Sequence, residues 1–199
     1  MKAIKINPII ILTCIFVSLI NIASAQDKSQ GPSNNSSDNA NAISNTATLE
    51  NSAYSFYIKG IAFDNDSNYE NAVLELSKAI KLNPNFTEAF DKRGMVYVKM
   101  IKYNKALKDF NRAIVINPLY AEAYNHRGIA YYCLKEFEAA INDYNKALNI
   151  EPSYAKVYYN RGILKLEIND ERGAKTDFLK ASELKVEEAI KYLSMDSDK

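Results

Sequence analysis

Apolar side chains between residues 53 and 188 follow a helical spacing, three or four residues apart, in one short segment after another. The clearest example begins at Ala121, and its two segments have their apolar positions at Tyr124, Gly128 and Tyr131, and at Phe137, Ala140, Ile141, Tyr144, Ala147 and Leu148. This spacing is typical of amphipathic α-helices. Pro152 ends the second helix, because proline has no amide hydrogen to donate and disfavours helix in the residue before it. The pattern therefore predicts a pair of helices.

The predicted helix pair recurs along the chain with a period of 34 residues. Its copies cover residues 53–86, 87–120, 121–154 and 155–188. The glycine of the first helix recurs in every copy, as Gly60, Gly94, Gly128 and Gly162. A fixed period in this range indicates a stacked repeat array. One pair alone buries too little apolar surface to offset the entropy of ordering its residues, so neighbouring copies are expected to share a core.

The recurring positions resemble the tetratricopeptide repeat (TPR) family, whose helix pairs carry an aromatic residue, Gly, Tyr, Ala, Phe, Ala and Pro in that order. The resemblance covers residues 53–188 without insertions. It implies an all-α fold, a right-handed superhelical solenoid of four helix-turn-helix repeats with a concave face lined by the first helices. The last copy departs from the pattern at Lys165, Glu171 and Val186, as expected of a terminal repeat with one face in solvent.

The segment beyond the last repeat is predicted to close the array. Residues 186–193 can form a short capping helix, whose apolar side would be Val186, Ala189, Ile190 and Leu193. This side would cover the exposed core of the last repeat. The predicted TPR domain therefore spans residues 48–193, and residues 194–199 are predicted to be a disordered tail.

Residues 1–25 have the pattern of a secretory signal peptide. Lys2 and Lys5 form the charged start, Ile9–Ile20 form the apolar core, and Ala23–Ala25 form a small-residue cleavage site. The alternative is an uncleaved membrane anchor, but the apolar run is short for a full span of the bilayer. We therefore predict a secreted or periplasmic protein that is not inserted in the membrane once the signal is cleaved.

The predicted mature chain is nearly neutral, since removal of the two signal-peptide lysines leaves 23 basic against 24 acidic residues. The sequence has no basic stripe, which argues against nucleic acid or anionic membrane as a partner. The mature chain begins with a polar, low-complexity run, residues 26–47. Because this run has almost nothing to bury, we predict that it is a disordered linker.

The sequence offers weak candidates for catalysis and for metal binding. His126, the single histidine, is not accompanied by an HExxH motif, a nucleophile elbow or a phosphate-binding glycine loop, so we predict a surface or groove role. Residues 64–75 begin like a calcium loop, but Tyr69 stands where that loop needs glycine. Cys133 is predicted to be a small packing residue, with an intermolecular disulfide as the alternative. We predict a protein that is not an enzyme and has no cofactor or metal.

A basic residue in each first helix recurs with an acidic residue 16 positions later in the second helix. The four predicted pairs are Lys59–Glu75, Arg93–Asp109, Arg127–Asp143 and Arg161–Asp177. In the TPR family the basic position usually holds leucine and faces the second helix of the same repeat. We predict half-buried structural ion pairs that clamp the two helices together, because a guanidinium can bind a carboxylate through two donors.

The resemblance also indicates which positions face the concave groove. The residue after each recurring glycine is apolar here, although it is often polar in similar repeats, and tyrosines flank it. The predicted partner-binding strip consists of Tyr57, Ile61, Met95, Val98, Asn125, Ile129, Tyr132, Tyr159, Ile163 and Leu166. An exposed apolar patch usually marks a binding site. The alternative is that these side chains pack between adjacent first helices.

Some TPR proteins bind the C-terminal carboxylate of chaperones through Lys, Asn and Arg at set groove positions, and this sequence matches that set in neither register. We predict a non-catalytic scaffold of the cell envelope or secreted space, a monomer or weak oligomer that binds a peptide or partner segment in its groove. One alternative is a self-assembling module, stacked end to end or linked through Cys133. Another is an accessory subunit of an envelope enzyme or secretion complex.

Overall fold

The computed structural model describes residues 37–196, and within this range the chain contains nine helices and no strand. The helices are α1 (Ser37–Asn65), α2 (Tyr69–Leu82), α3 (Thr87–Lys99), α4 (Tyr103–Ile116), α5 (Ala121–Cys133), α6 (Phe137–Ile150), α7 (Ala155–Glu167), α8 (Glu171–Glu183) and α9 (Glu187–Asp196). The all-α prediction, helical repeats followed by a C-terminal helix, is confirmed. The odd-numbered helices α1 to α7 are the first helices of the four repeats, and the even-numbered ones are the second helices.

The chain divides into two compact units, Met1–Ala89 and Phe90–Lys199. In the N-terminal unit, α1 packs on α2. In the C-terminal unit, each helix from α4 onwards packs on the next one in sequence, and α5 also contacts α7. Contacts of this kind, limited to near neighbours in the sequence, are characteristic of stacked repeats.

The two helices of a repeat approach closely at the recurring glycine. A Cβ atom added to Gly128 would lie 2.7 Å from the ring of Tyr144, and one added to Gly94 would lie 2.5 Å from the ring of Phe110. Both rings are almost fully buried. The glycine is therefore needed because a buried aromatic ring of the second helix occupies the space that any larger side chain would fill.

Each turn between the helices of a repeat contains one non-glycine residue with positive φ. In the third repeat this residue is Lys135, with φ of 62°, and the amide of Glu136 donates to the carbonyl of Tyr131 at 2.9 Å. The second repeat has Ile101 at the same place, with φ of 60°. The left-handed conformation is unfavourable for a β-branched residue, so this turn is strained locally.

Helix α1 begins well before the first repeat. It starts at Ser37, so residues 37–47 are helical, and the prediction of a disordered linker over 26–47 is wrong for that part. The sequence between Ser33 and Lys59 contains neither glycine nor proline, so it has no strong signal that would end the helix. Polar composition indicates that a segment buries little, and it does not by itself exclude a helix. Residues 26–36 lie outside the described part of the chain, as does the predicted signal peptide.

Helix α9 caps the last repeat with a different set of side chains from the predicted one. Ala189 is fully buried and Val186 and Leu193 are half-buried, but Ile190 is exposed. Tyr192 takes its place, with its ring centroid 4.4 Å from that of Phe178. Because Ile190 follows Ala189 by one residue, it points about 100° away from the buried face.

The prediction of a disordered tail over residues 194–199 is also partly wrong. The helix continues to Asp196, so residues 194–196 are helical, and residues 197–199 lie outside the described range. Among the helices of residues 37–196, none combines the length and apolar character needed to cross a membrane.

Candidate partner-binding groove

Arginine forks join the two helices of each repeat in the C-terminal unit. The Nε and Nη2 atoms of Arg127 donate to the two carboxylate oxygens of Asp143, each at 2.7 Å. The corresponding pairs Arg93–Asp109 and Arg161–Asp177 have distances of 2.6–2.9 Å. The carboxylates are more than nine-tenths buried, and the guanidinium groups are largely buried. Paired charge-assisted hydrogen bonds fix both the distance and the orientation of the helices.

The forks of Arg127 and Arg161 also connect neighbouring repeats. Nη1 of Arg127 donates to Asn111 of the preceding second helix at 2.6 Å, and Nη1 of Arg161 donates to Asn145 in the same way. Burial acts to lower the pKa of the Arg127 guanidinium, but the hydrogen bond and negative charge of Asp143 outweigh it and leave that pKa raised. The guanidinium of Arg127 therefore stays charged while it links its own first helix, α5, to the two second helices α4 and α6.

The first repeat lacks the fork that the sequence predicts for it. Glu75 is buried, but it pairs with Lys78 of its own helix at 2.6 Å and not with Lys59. Lys59 is exposed, and its ammonium lies 5.4 Å from the centroid of the Phe56 ring. A lysine carries one compact charge on a flexible stem and cannot present two fixed donors to a carboxylate. The prediction of a Lys59–Glu75 clamp is therefore wrong.

The predicted apolar strip is not an exposed surface. Met95, Val98, Asn125 and Ile129 are all more than nine-tenths buried. The other six residues of the strip are half-buried: Tyr57, Ile61, Tyr132, Tyr159, Ile163 and Leu166. The alternative interpretation, packing between neighbouring elements, describes the buried group better. Side chains at these positions are covered because adjacent first helices lie close enough for them to interdigitate.

The half-buried residues differ in what they contact. Tyr159, Ile163 and Leu166 pack around the cluster of Ala174, Phe178, Ala181 and Ala189, which α9 completes. Tyr132 contacts the ring of Phe137 at a centroid distance of 5.9 Å. In the N-terminal unit the ring of Tyr57 lies 5.0 Å from that of Phe86. In the C-terminal unit, Tyr132, Ile163 and Leu166 each keep part of their surface exposed to solvent.

Buried polar pairs join successive first helices of the C-terminal unit. Nδ1 of His126 lies 2.8 Å from a carboxylate oxygen of Asp91, and both side chains are about 95% buried. One repeat later, the amide of Asn160 donates to the carbonyl oxygen of Asn125 at 2.9 Å. Both pairs span 35 residues, one period plus one residue. His126 is therefore a structural link between repeats and not the surface or groove residue that the sequence predicts.

Three carboxylates converge near these pairs. Burial, with repulsion from Asp91 and Glu151, raises the pKa of Glu122. Burial and the same negative charges, with Glu122, raise the pKa of the Tyr154 phenol, which hydrogen-bonds Asn125. Glu122 is therefore close enough to Asp91 and Glu151 to be affected by their charges, while His126 acts on its pKa in the opposite direction. Among residues 37–196, no group of three or more His, Cys, Asp or Glu side chains is placed to hold a metal ion.

The chain matches tetratricopeptide repeat models and solved tetratricopeptide structures. A tetratricopeptide repeat model matches residues 53–86, and a TPR repeat model matches residues 102–135 and 130–168. A solved structure of MamA, from residue 41 to its end, of Desulfovibrio magneticus RS-1 is 30% identical with a TM-score of 0.60. That match covers 66% of this chain and 75% of the MamA chain. The chain belongs to the tetratricopeptide repeat family.

Two other solved structures share the TPR fold. The first TPR of Spaghetti (RPAP3), bound to the HSP90 peptide SRMEEVD, is 24% identical with a TM-score of 0.58, and the match covers 60% of this chain and 95% of that chain. A second MamA structure is 25% identical with a TM-score of 0.57, covering 63% and 74%. No curated protein sequence matches the chain. As a TPR protein, the chain is a protein-interaction scaffold.

The polar links between TPR repeats are not apparent when the repeats are aligned position by position at a spacing of 34, because the linked residues are 35 apart. A search for complementary polar residues at one period plus one residue finds Asp91 with His126 and Asn125 with Asn160. This signal is available without a structure. The burial of Met95 and Ile129 has no such signal, since it depends on the distance between neighbouring first helices.

Proposed function

We propose that this TPR protein is an exported, non-catalytic scaffold that holds a segment of a partner protein against the first helices of its C-terminal unit. The observation that carries the proposal is the pair of buried links, Asp91–His126 and Asn125–Asn160, which hold α3, α5 and α7 side by side. A groove whose walls are fixed before binding loses little entropy when a peptide docks.

The partner segment would contact the half-buried side chains of the groove and not the buried ones. Tyr132, Ile163 and Leu166 offer accessible apolar surface, and tyrosine adds a hydroxyl that can accept or donate. Met95 and Ile129 would support the groove from beneath, because less than a tenth of each side chain reaches solvent. We therefore narrow the predicted binding strip to its half-buried members in the C-terminal unit.

The charge of the groove bears on the kind of segment that it would hold. The RPAP3 structure contains an acidic peptide ending in Glu-Glu-Val-Asp. In this chain, the negative charges of Asp91 and Glu151 act on Glu122, and all three carboxylates act on Tyr154. A peptide rich in carboxylates would be repelled there. The proposed partner segment is therefore apolar, without an acidic terminus.

Export is supported by the N-terminal sequence alone. The lysines at positions 2 and 5, the apolar run Ile9–Ile20 and the small residues Ala23–Ala25 form a complete signal pattern. Mass spectrometry of the protein from fractionated cells tests this part of the proposal. We expect a mature N-terminus at Gln26 in the envelope or secreted fraction, and an intact Met1 in the soluble cell interior would contradict it.

Site-specific photo-cross-linking in living cells tests the groove. A photoreactive residue in place of Tyr132 should cross-link a discrete partner, while the same residue in place of Asn142, an exposed position on α6, should not. The charge-introducing variant Leu166→Lys, combined with the probe at position 132, should abolish the adduct. Equal yields from positions 132 and 142, or an adduct unaffected by Leu166→Lys, would overturn the groove proposal.

A further inference from the structure

Contacts between successive first helices in the C-terminal unit follow one register. Asp91 of α3 meets His126 of α5, and Asn125 of α5 meets Asn160 of α7, each across 35 residues. All four side chains are more than nine-tenths buried. A repeat therefore contributes two contact positions, one facing the next repeat, as in Asn125, and the following residue facing the previous repeat, as in His126.

At the N-terminal end of the array, the position that faces a preceding repeat is apolar and uncovered. Counting back in steps of 34 from Asn160 and His126 leads to Ile58 of α1. Ile58 is 45% exposed, although the corresponding residues of α5 and α7 are buried. Tyr54, one turn earlier on the same helix, is 57% exposed. These two residues, the front patch, lie where another repeat would pack.

At the C-terminal end, the position that faces a following repeat is also apolar. Helix α9 is a shortened first helix, in which Tyr192 corresponds to Tyr158 and Leu193 to Tyr159, one period earlier. Leu193 therefore occupies the position that Asp91 and Asn125 hold in the interior, and it is half-buried. Ile190 on the same helix is 49% exposed. Ile190 and Leu193, which are three residues apart on one side of the helix, form the rear patch.

We propose that the rear patch of one chain binds the front patch of a second copy, head to tail, with Leu193 facing Ile58 of the second copy. The contact would continue the register that joins Asn125 to Asn160 inside the chain. This contact is distinct from the groove, so it adds a second interaction to the proposed function.

The chemistry of the pairs favours a second copy as the occupant. The interior pairs are polar and fully satisfied, so inserting Leu193 or Ile58 against one of them would leave a buried amide or carboxylate without its partner. The two end positions, by contrast, are both apolar and gain by covering each other. The end patches thus match each other better than either matches an interior position. Head-to-tail contacts of this kind extend into chains or close into rings.

Sedimentation velocity on the purified exported protein, over a rising concentration series, tests the proposal. We expect the wild type to form species of two and more copies. Ile58→Lys, which charges the front patch, and Ile190→Lys, which charges the rear patch at an exposed position, should each be monomeric. Val115→Lys replaces a more exposed apolar residue, on α4 away from both ends, and should assemble like the wild type.

The decisive step is to mix the two end variants. Ile58→Lys retains an intact rear patch and Ile190→Lys retains an intact front patch, so an equimolar mixture should form a two-copy species and nothing longer. A wild type that remains monomeric at the highest concentration would overturn the proposal. So would continued assembly of either variant alone, since like ends would then be pairing, or a mixture that stays monomeric.

Discussion

The first repeat and the three repeats that follow it use the same helix pair but different clamps. In the C-terminal unit, Arg127 binds both carboxylate oxygens of Asp143 and also Asn111 of the preceding repeat. In the first repeat, Lys59 is exposed and Glu75 pairs within its own helix. The comparison shows that the charge pattern at a spacing of 16 residues is not sufficient for a clamp. The planar guanidinium is what converts the charge pair into a fixed link between helices.

Removing the carboxylate from a fork should have the largest effect. Asp143→Ala leaves the largely buried Arg127 without its partner, which should lower the free energy of unfolding by about 3–5 kcal/mol. Urea denaturation of the purified protein measures the loss. The matched control is Glu75→Ala in the first repeat, whose partner Lys78 is partly exposed and whose loss should cost about 1 kcal/mol or less. Equal losses at the two positions would refute the distinction between the clamps.

Changing the fork to a point charge should have an intermediate effect. Arg127→Lys keeps the positive charge but removes the second bond to Asp143 and the bond to Asn111, at a cost of about 1–3 kcal/mol. Asn111→Ala should destabilise the wild type but add nothing in the Arg127→Lys background. A double-mutant cycle of thermal unfolding measures this coupling. If the two substitutions destabilised the protein additively, the contribution of Asn111 to stability would not depend on its bond with Arg127.

The reverse substitution in the first repeat should give a smaller gain. Lys59→Arg offers a guanidinium to the buried carboxylate of Glu75 and should raise the free energy of unfolding by up to about 1 kcal/mol, because the position is exposed. Lys59→Gln should be almost neutral in the same denaturation assay, since Lys59 forms no bond with Glu75. A gain that persists in the double variant Lys59→Arg, Glu75→Gln would show that it has another origin.

The smallest predicted effect concerns the groove carboxylates. Burial and nearby negative charges raise the pKa of Glu122, so its ionised form is less favourable in the folded than in the unfolded chain. This cost is present above the folded pKa and disappears as the pH falls through it. Glu122→Gln should therefore stabilise the protein at neutral pH by a few tenths of a kcal/mol, since the group is only half-buried. The difference should vanish in acid, and a constant difference across the pH range would contradict this cause.

The periodic features of this molecule could be predicted, and the features that depend on spacing between helices could not. The positions of Gly128 and Tyr144 in the repeat identify the close contact, since a period of 34 residues places them in every copy. The predicted ion pair between Lys59 and Glu75 is wrong because lysine and arginine, although both positively charged, differ in the number and geometry of their donors. The burial of Ile129 depends on how closely α3, α5 and α7 approach, which no single repeat encodes.

The ends of the array were harder still to predict. The helical conformation of residues 37–47 was hidden by their polar composition, which reports poor burial and not backbone conformation. In α9, the sequence departs from the repeat pattern and does not reveal that Tyr192 occupies the family's aromatic position, so the predicted buried face wrongly includes Ile190. Terminal repeats lose the neighbours that constrain their sequences, and pattern matching is weakest there.

Native-state hydrogen exchange tests most directly the claim that the C-terminal unit is a clamped scaffold whose groove exists before any partner binds. We expect amides in α5, α6 and α7 of the unliganded protein to exchange only through global unfolding, and those of α1 and α2 to exchange faster through local opening. Asp143→Ala should move α5 and α6 to the faster class. Equal protection in α2 and α6, or fast exchange of α5 in the wild type, would contradict the account.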